Sequence, residues 1–335
     1  MLKNLDFVLL PLFGLGSKTV TGYAHLKYSI PIANNRKLKL GFLSKRFSYL
    51  AFPENLSYNK IEPFVRLQLK DISKNKHQAQ IEFKTSFVLL DYLYQGKQQE
   101  FYYVNHLSFK YDFNKSKDNF RAKLDLKQAT NFVSLSGEFN TKINYTTKKH
   151  NAFYARLFVG GFLYNANFNS SSLAPTPDAN FLLSANNRPY LGNSTSAFTQ
   201  YQEDYSFRNT FLDRNSQDPF FSRQLGQISD GGFKSLTNKV KSKNYLMALN
   251  LSSDLPIPLP IEPWVNLALT KGVNKPELLL EFGASLNLFD KFIQFHFPFY
   301  TDIQFGQINY ISLESVVENI SFSVDLMKLD KLRKY

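Results

Sequence analysis

Cysteine is absent from all 335 residues. That excludes disulfides, cysteine-ligated zinc and a thiol nucleophile. No apolar run approaches the roughly 20 residues of a membrane-spanning helix, so any crossing of a bilayer would be made with strands. Tryptophan occurs once and methionine three times. The five histidines are His25, His77, His106, His150 and His296. None has the glutamate and second histidine of a zincin helix beside it. There is no GxSxG elbow, no phosphate-binding P-loop and no dinucleotide-binding GxGxxG opening a helix. The residues point to no catalytic group, no metal site and no cofactor, and the expectation is a protein that is not itself an enzyme.

What is abundant is aromatic: 33 Phe and 19 Tyr, residues that favour strands. They sit in a two-residue alternation. Between residues 120 and 127, Phe120, Ala122, Leu124 and Leu126 are apolar, while Arg121, Lys123, Asp125 and Lys127 are charged. Successive strand side chains point to opposite faces, so one face is greasy and the other fully charged. The pattern recurs along nearly the whole chain with no helical periodicity between. That combination predicts an all-β, antiparallel transmembrane β-barrel, its apolar face against lipid and its charged face lining a lumen. Mean hydropathy is only −0.29, as expected when lumen and loop residues dilute the lipid face.

The alternation and turn residues place strands at 5–13, 19–30, 37–50, 63–72, 78–92, 100–113, 119–132, 135–145, 152–165, 244–252, 264–270, 278–289, 292–299 and 319–326. Asn34-Asn35, 114–117, 274–276 and Asp290 fall between them. Residues 167–238 read as a long loop region rich in Asn, Ser, Thr and Pro, with one further candidate strand at 200–212. A solvent-exposed loop is the plainer expectation; a loop folded into the barrel is the sharper one. Gly160-Gly161 lies within a strand, as at a bend. The whole of 1–335 reads as one barrel domain of roughly 14–16 strands. Bacterial single-chain barrels have even strand numbers. A count near fifteen therefore predicts a first strand missing from the N-terminal end. Asp6 and Pro11 interrupt the apolar start, so it reads as a strand rather than a signal peptide.

The net charge of +13 would suit nucleic acid, but the cations are spread over alternate strand positions, so no nucleic-acid partner is expected. The lumen-facing candidates are Arg121, Lys123, Asp125, Lys127, Glu138 and Glu281. Carboxylates on these faces have basic neighbours at two-residue spacing, which reads as a solvated lumen network rather than an acid–base pair. One local motif stands apart: Asp230-Gly231-Gly232-Phe233, closing the long loop region. Two glycines allow a tight backbone, and Phe233 could anchor it inside a barrel.

Several stretches carry a resemblance. They are Asp6–Phe13 followed by 16–22, Arg156-Leu157-Phe158-Val159-Gly160-Gly161-Phe162-Leu163, Asp254-Leu255-Pro256-Ile257-Pro258-Leu259-Pro260, and the ending at 319–326. Together they resemble the C-terminal outer-membrane barrel of large envelope proteins whose N-terminal part is a gluzincin-type zinc aminopeptidase. That barrel in turn looks like the BamA-type surface-antigen superfamily, which is sixteen-stranded and has a Gly-Phe or Gly-Tyr motif, usually preceded by Arg, in the loop before the twelfth strand. Gly231 stands where that Arg would be. The resemblance implies residence in the cell outer membrane, lipid as a partner and a peptidase-like module upstream that this barrel anchors. Its alternatives are a BamA-like assembly or translocation barrel and an anion-favouring porin.

Overall fold

The computed structural model describes residues 4–14, 19–32, 36–51, 54–72, 77–92, 98–114, 118–145, 151–166, 181–183, 212, 220–227, 229–235, 241–257, 259–271, 276–302 and 319–328. The chain runs through β1 (Leu5–Gly14), β2 (Thr19–Ile32), β3 (Arg36–Ala51), β4 (Glu54–Ile72), β5 (His77–Tyr92) and β6 (Gln98–Asn114). It continues with β7 (Asp118–Gln128), β8 (Phe132–Asn144) and β9 (Ala152–Asn165). Three two-residue pieces follow, β10 (Phe181–Leu182), β11 (Gln224–Leu225) and β12 (Lys241–Ser242). The last strands are β13 (Tyr245–Ser253), β14 (Ile261–Lys271), β15 (Pro276–Leu288), β16 (Ile293–Thr301) and β17 (Ser321–Val324).

These strands form a 15-stranded sheet ordered β1 to β9, then β13 to β17, then β11, beside a two-stranded pair of β10 and β12. Each long strand pairs antiparallel with its successor; only β11 joins in parallel, Gln224 opposite Phe322 and Leu225 opposite Ser323. The fold is the expected all-β antiparallel one with the expected number of strands. The fifteenth strand of the sheet is β11. Of the segment 200–212, only Leu212 lies among the described residues, and it is in a bend.

Register makes the sheet two-faced. On one face Val65 opposes Phe83, Phe83 opposes Leu107, Leu107 opposes Leu126 and Leu126 opposes Leu135. On the other, Arg66 opposes Glu82, Ser108 opposes Asp125 and Lys127 opposes His106. The burial is inverted relative to a soluble sheet: Leu124 is 55% exposed and Asp125 is 6%. Buried charge needs partners, and the inner face supplies them. Glu62 accepts from Lys60 at 2.8 Å and Lys84 at 2.9 Å, Glu82 pairs with Arg66, and His106 Nε2 lies 2.7 Å from Asp125 Oδ1.

Two boundaries differ most from the pattern-based placement. β4 begins at Glu54 rather than 63, and its ladder to β5 passes from Ile61 to Phe64 without pairing Pro63. A proline has no N–H to offer a ladder, yet the strand continues through it. β7 stops at Gln128 because Ala129 N donates to Phe132 O at 2.9 Å, closing a turn before β8.

The long connection does not stay in solvent where it is described. Phe181, Leu183 and Phe233 are buried against inner residues of β9, β13, β14 and β15, namely Phe158, Leu246, Ala248, Ala268 and Leu279. Its path rounds the last strand. Phe220 stacks on the outward Phe322 at 4.7 Å, Gln224–Leu225 runs along the edge of β17, and inside Ser321 Oγ donates to Lys234 O at 2.5 Å. Gly160-Gly161 is therefore no bend. β9 runs through it in regular register, and the irregularity lies beyond, where Ser134 pairs Phe162 and Val133 pairs Tyr164. Gly160 is there for space: a Cβ would come within 2.8 Å of the Phe181 ring, whereas nothing lies within 4 Å of one at Gly161. Gly160→Leu should destabilise the protein by about 1–3 kcal/mol, read from urea unfolding in detergent, with Gly161→Leu clearly milder.

Candidate functional site

The site is the place where the loop motif enters the sheet. Phe233 is 2% exposed and is the apolar anchor; the residues around it are held by polar contacts from four strands. On β9, Arg156 Nη1 donates to Asp230 O at 2.9 Å and to Asn250 Oδ1 at 2.8 Å, and Nη2 donates to Ser229 O at 3.1 Å. Behind it Arg156 Nε lies 3.2 Å from Glu138 Oε1, and Asn140 Nδ2 donates to the same oxygen at 2.7 Å. On β13, Asn250 Nδ2 donates to Gly231 O at 2.8 Å and to Asn266 Oδ1 at 2.9 Å.

Glu281 on β15 is the acceptor at the centre. It is wholly buried. One carboxylate oxygen receives Lys234 N at 2.6 Å and Asn266 Nδ2 at 2.7 Å; the other receives Ser235 N at 3.1 Å and Ser235 Oγ at 2.5 Å. Four donors on two oxygens match the capacity of a carboxylate, which has no donor of its own. The loop also closes on itself and its neighbour: Ser229 Oγ donates to Leu183 O at 2.7 Å, Phe233 N to the same carbonyl at 3.0 Å, and Gly232 N to Ser229 Oγ at 3.1 Å.

Both glycines are required. Gly232 has φ +71°, and a Cβ there would meet Asn250 Oδ1 at 2.5 Å; one at Gly231 would meet the Leu183 backbone at 2.7 Å. Gly231 carries no side chain, and the guanidinium at this site comes from the wall, as Arg156. Lys234 places its ammonium 5.4 Å over the Trp264 ring. Burial lowers that ammonium below the ordinary lysine range, and Glu262 and Glu281 oppose the shift.

Of the residues singled out in the sequence, the structure brings together Glu138, Glu281 and the 230–233 motif. Arg121, Lys123, Asp125 and Lys127 lie on β7, and of the four only Arg121 borders the same cavity as the loop. Lys123 pairs with Asp125, Lys127 is buried opposite His106, and Arg121 pairs with Asp112 with its side chain 63% exposed. Arg156, Asn250 and Asn266 escaped notice. Their signal is faint: each is a polar residue on the inner parity of its strand, next in that parity to Phe158, Ala248 and Ala268 respectively. Among the described residues no three His, Asp or Glu side chains gather as metal ligands.

No protein-family model matches the chain, and no curated protein does. Among solved structures it is similar to BamA from Haemophilus ducreyi lacking POTRA domains 1–3. That match has 8% identity over 96% of this chain and 70% of the other, with a TM-score of 0.46. No functional assignment follows from a likeness of this degree.

Removing the central acceptor tests the site. Glu281→Ala leaves two buried backbone N–H groups and the Asn266 amide unpaired, and should destabilise the seated loop by about 2–5 kcal/mol. Trypsin cleavage after Lys234 in the folded protein should accelerate correspondingly; an unchanged cleavage rate would mean that Glu281 does not hold the loop.

Proposed function

We propose that this chain is an outer-membrane β-barrel domain that anchors rather than catalyses, with its lumen occupied by its own long connection. The inverted burial carries the reading: across consecutive strands, Phe, Leu, Ile and Val are exposed while Lys, Glu, Asp and His are enclosed. Burying apolar surface is worth about 25 cal/mol per Å², so a belt of this kind is stable only against lipid or detergent. Topology agrees. In the antiparallel meander, the two long connections, after β9 and after β16, leave from the same end of the sheet, as long loops do in outer-membrane barrels.

The interior favours a plugged barrel over an open porin, because the 229–235 segment is tied to β9, β13, β15 and β17 by hydrogen bonds and by Phe233. The resemblance in the sequence names what such an anchor would hold: a peptidase-like module encoded upstream. An open reading frame continuing upstream of Met1 into a HExxH helix would support that part; a peptidase-free gene would remove it.

For the membrane reading the test is direct. The protein should need detergent or lipid to stay in solution and should migrate differently on gels before and after boiling. Leu124→Arg, on the outward face, should lower its stability in bilayers by about 2–4 kcal/mol. A detergent-free soluble monomer indifferent to that substitution would overturn the reading.

A further inference from the structure

Beside the seated loop, the inner face lines an open-sided cavity of about 460 Å³, within the usual range for small-ligand pockets of roughly 300–1,000 Å³. Its charge is one-sided: Arg121, Lys142, Arg156 and Lys234 line it against a single carboxylate, Asp112. Arg121 is matched by Asp112 and Arg156 by Glu138. Two ammonium groups are left. Lys142, on β8, has the Tyr154 ring at 5.5 Å as its partner among the described residues. Lys234, carried in by the loop, has the Trp264 ring at 5.4 Å and a long hydrogen bond to Ser285 Oγ at 3.4 Å. Cation–ring contacts leave an ammonium's charge uncancelled; Glu262 and Glu281 offset part of the charge on Lys234, and Lys142 has no carboxylate in contact among the described residues.

Asn140, Asn250, Asn266 and Gln294 in the lining are committed to protein partners, but the amides of Asn114, Asn119 and Gln227 also face it. An amide both donates and accepts, so it suits a ligand's hydroxyl groups. We propose that this cavity binds a small polyhydroxylated anion, a carboxylated or phosphorylated saccharide, with its charge held between Lys142 and Lys234. The seated loop forms one side of this pocket, so ligand and loop would stabilise each other. The inference rests on the inner face and not on where the barrel resides.

Trp264 lines the cavity and is the single tryptophan of the chain, so its emission reports on this site alone. Purified full chain in detergent is titrated at constant ionic strength with galacturonate disaccharide, with glucose 1-phosphate and with neutral cellobiose. The expected result is a saturable change with one or both anions, and which anion acts identifies the charged group; cellobiose gives none. Lys142→Gln should weaken the apparent affinity by about tenfold or more and Lys142→Arg should retain it. Lys39→Gln, on β3 outside the cavity, should leave it unchanged, and boiling-dependent gel mobility checks that each variant is folded. No saturable change with either anion, an equal response to cellobiose, or full affinity in folded Lys142→Gln would overturn the proposal.

Discussion

A slip of one residue in any antiparallel pair would turn a row of charges outward and a row of apolar side chains inward, and the rest of the structure depends on the register that forbids it. The register is held from both faces. Outside, cross-strand apolar neighbours such as Phe83 with Leu107 and Phe109 with Leu124 meet. Inside, enclosed charges find their counterparts only at the native offset: Arg66 meets Glu82, and Lys84 reaches Glu62. Glu62, Glu82, His106 and Asp125 on that face are buried, so each misplaced charge would be costly.

The inner face is not uniform. From β3 to β8 it carries lysines, arginines and carboxylates. From β9 to β15 it offers an apolar patch, and there the connection seats Phe181, Leu183 and Phe233. Apolar burial brings the loop to this patch but does not orient it; orientation comes from Arg156, Asn250 and Glu281, which read backbone groups, with Asn266 bracing Asn250 and Glu281. The division of labour explains why two glycines sit together in the loop. A backbone presented edge-on to a wall leaves no room for a Cβ at Gly231, and the αL turn at Gly232 aims the following N–H groups at Glu281.

Most of the fold was legible because a strand's two-residue period needs no partner to be seen. The strands from β1 to β9 and the later hairpins follow from alternation and turn residues, as do the inward positions of Asp125 and Lys127. Pattern failed where a local rule was overridden by neighbours. Pro63 looked like a strand start, yet β3 holds β4 through it. Gly160 looked like a bend, yet it clears space for a ring some twenty residues away in the chain.

The site divides along the same line. The Asp230–Phe233 motif stood out by composition, and Glu281 by its inward parity. That these two meet, and that Arg156 rather than a loop arginine faces the loop, came only with the fold, because contacts across 46 to 74 positions of sequence leave no local trace. By itself the sequence determined which side chains face in and which face out, since that is a property of each strand alone. What fills the interior was decided by tertiary structure, because seating a loop requires donors, acceptors and empty volume from strands far apart in the chain to coincide in space.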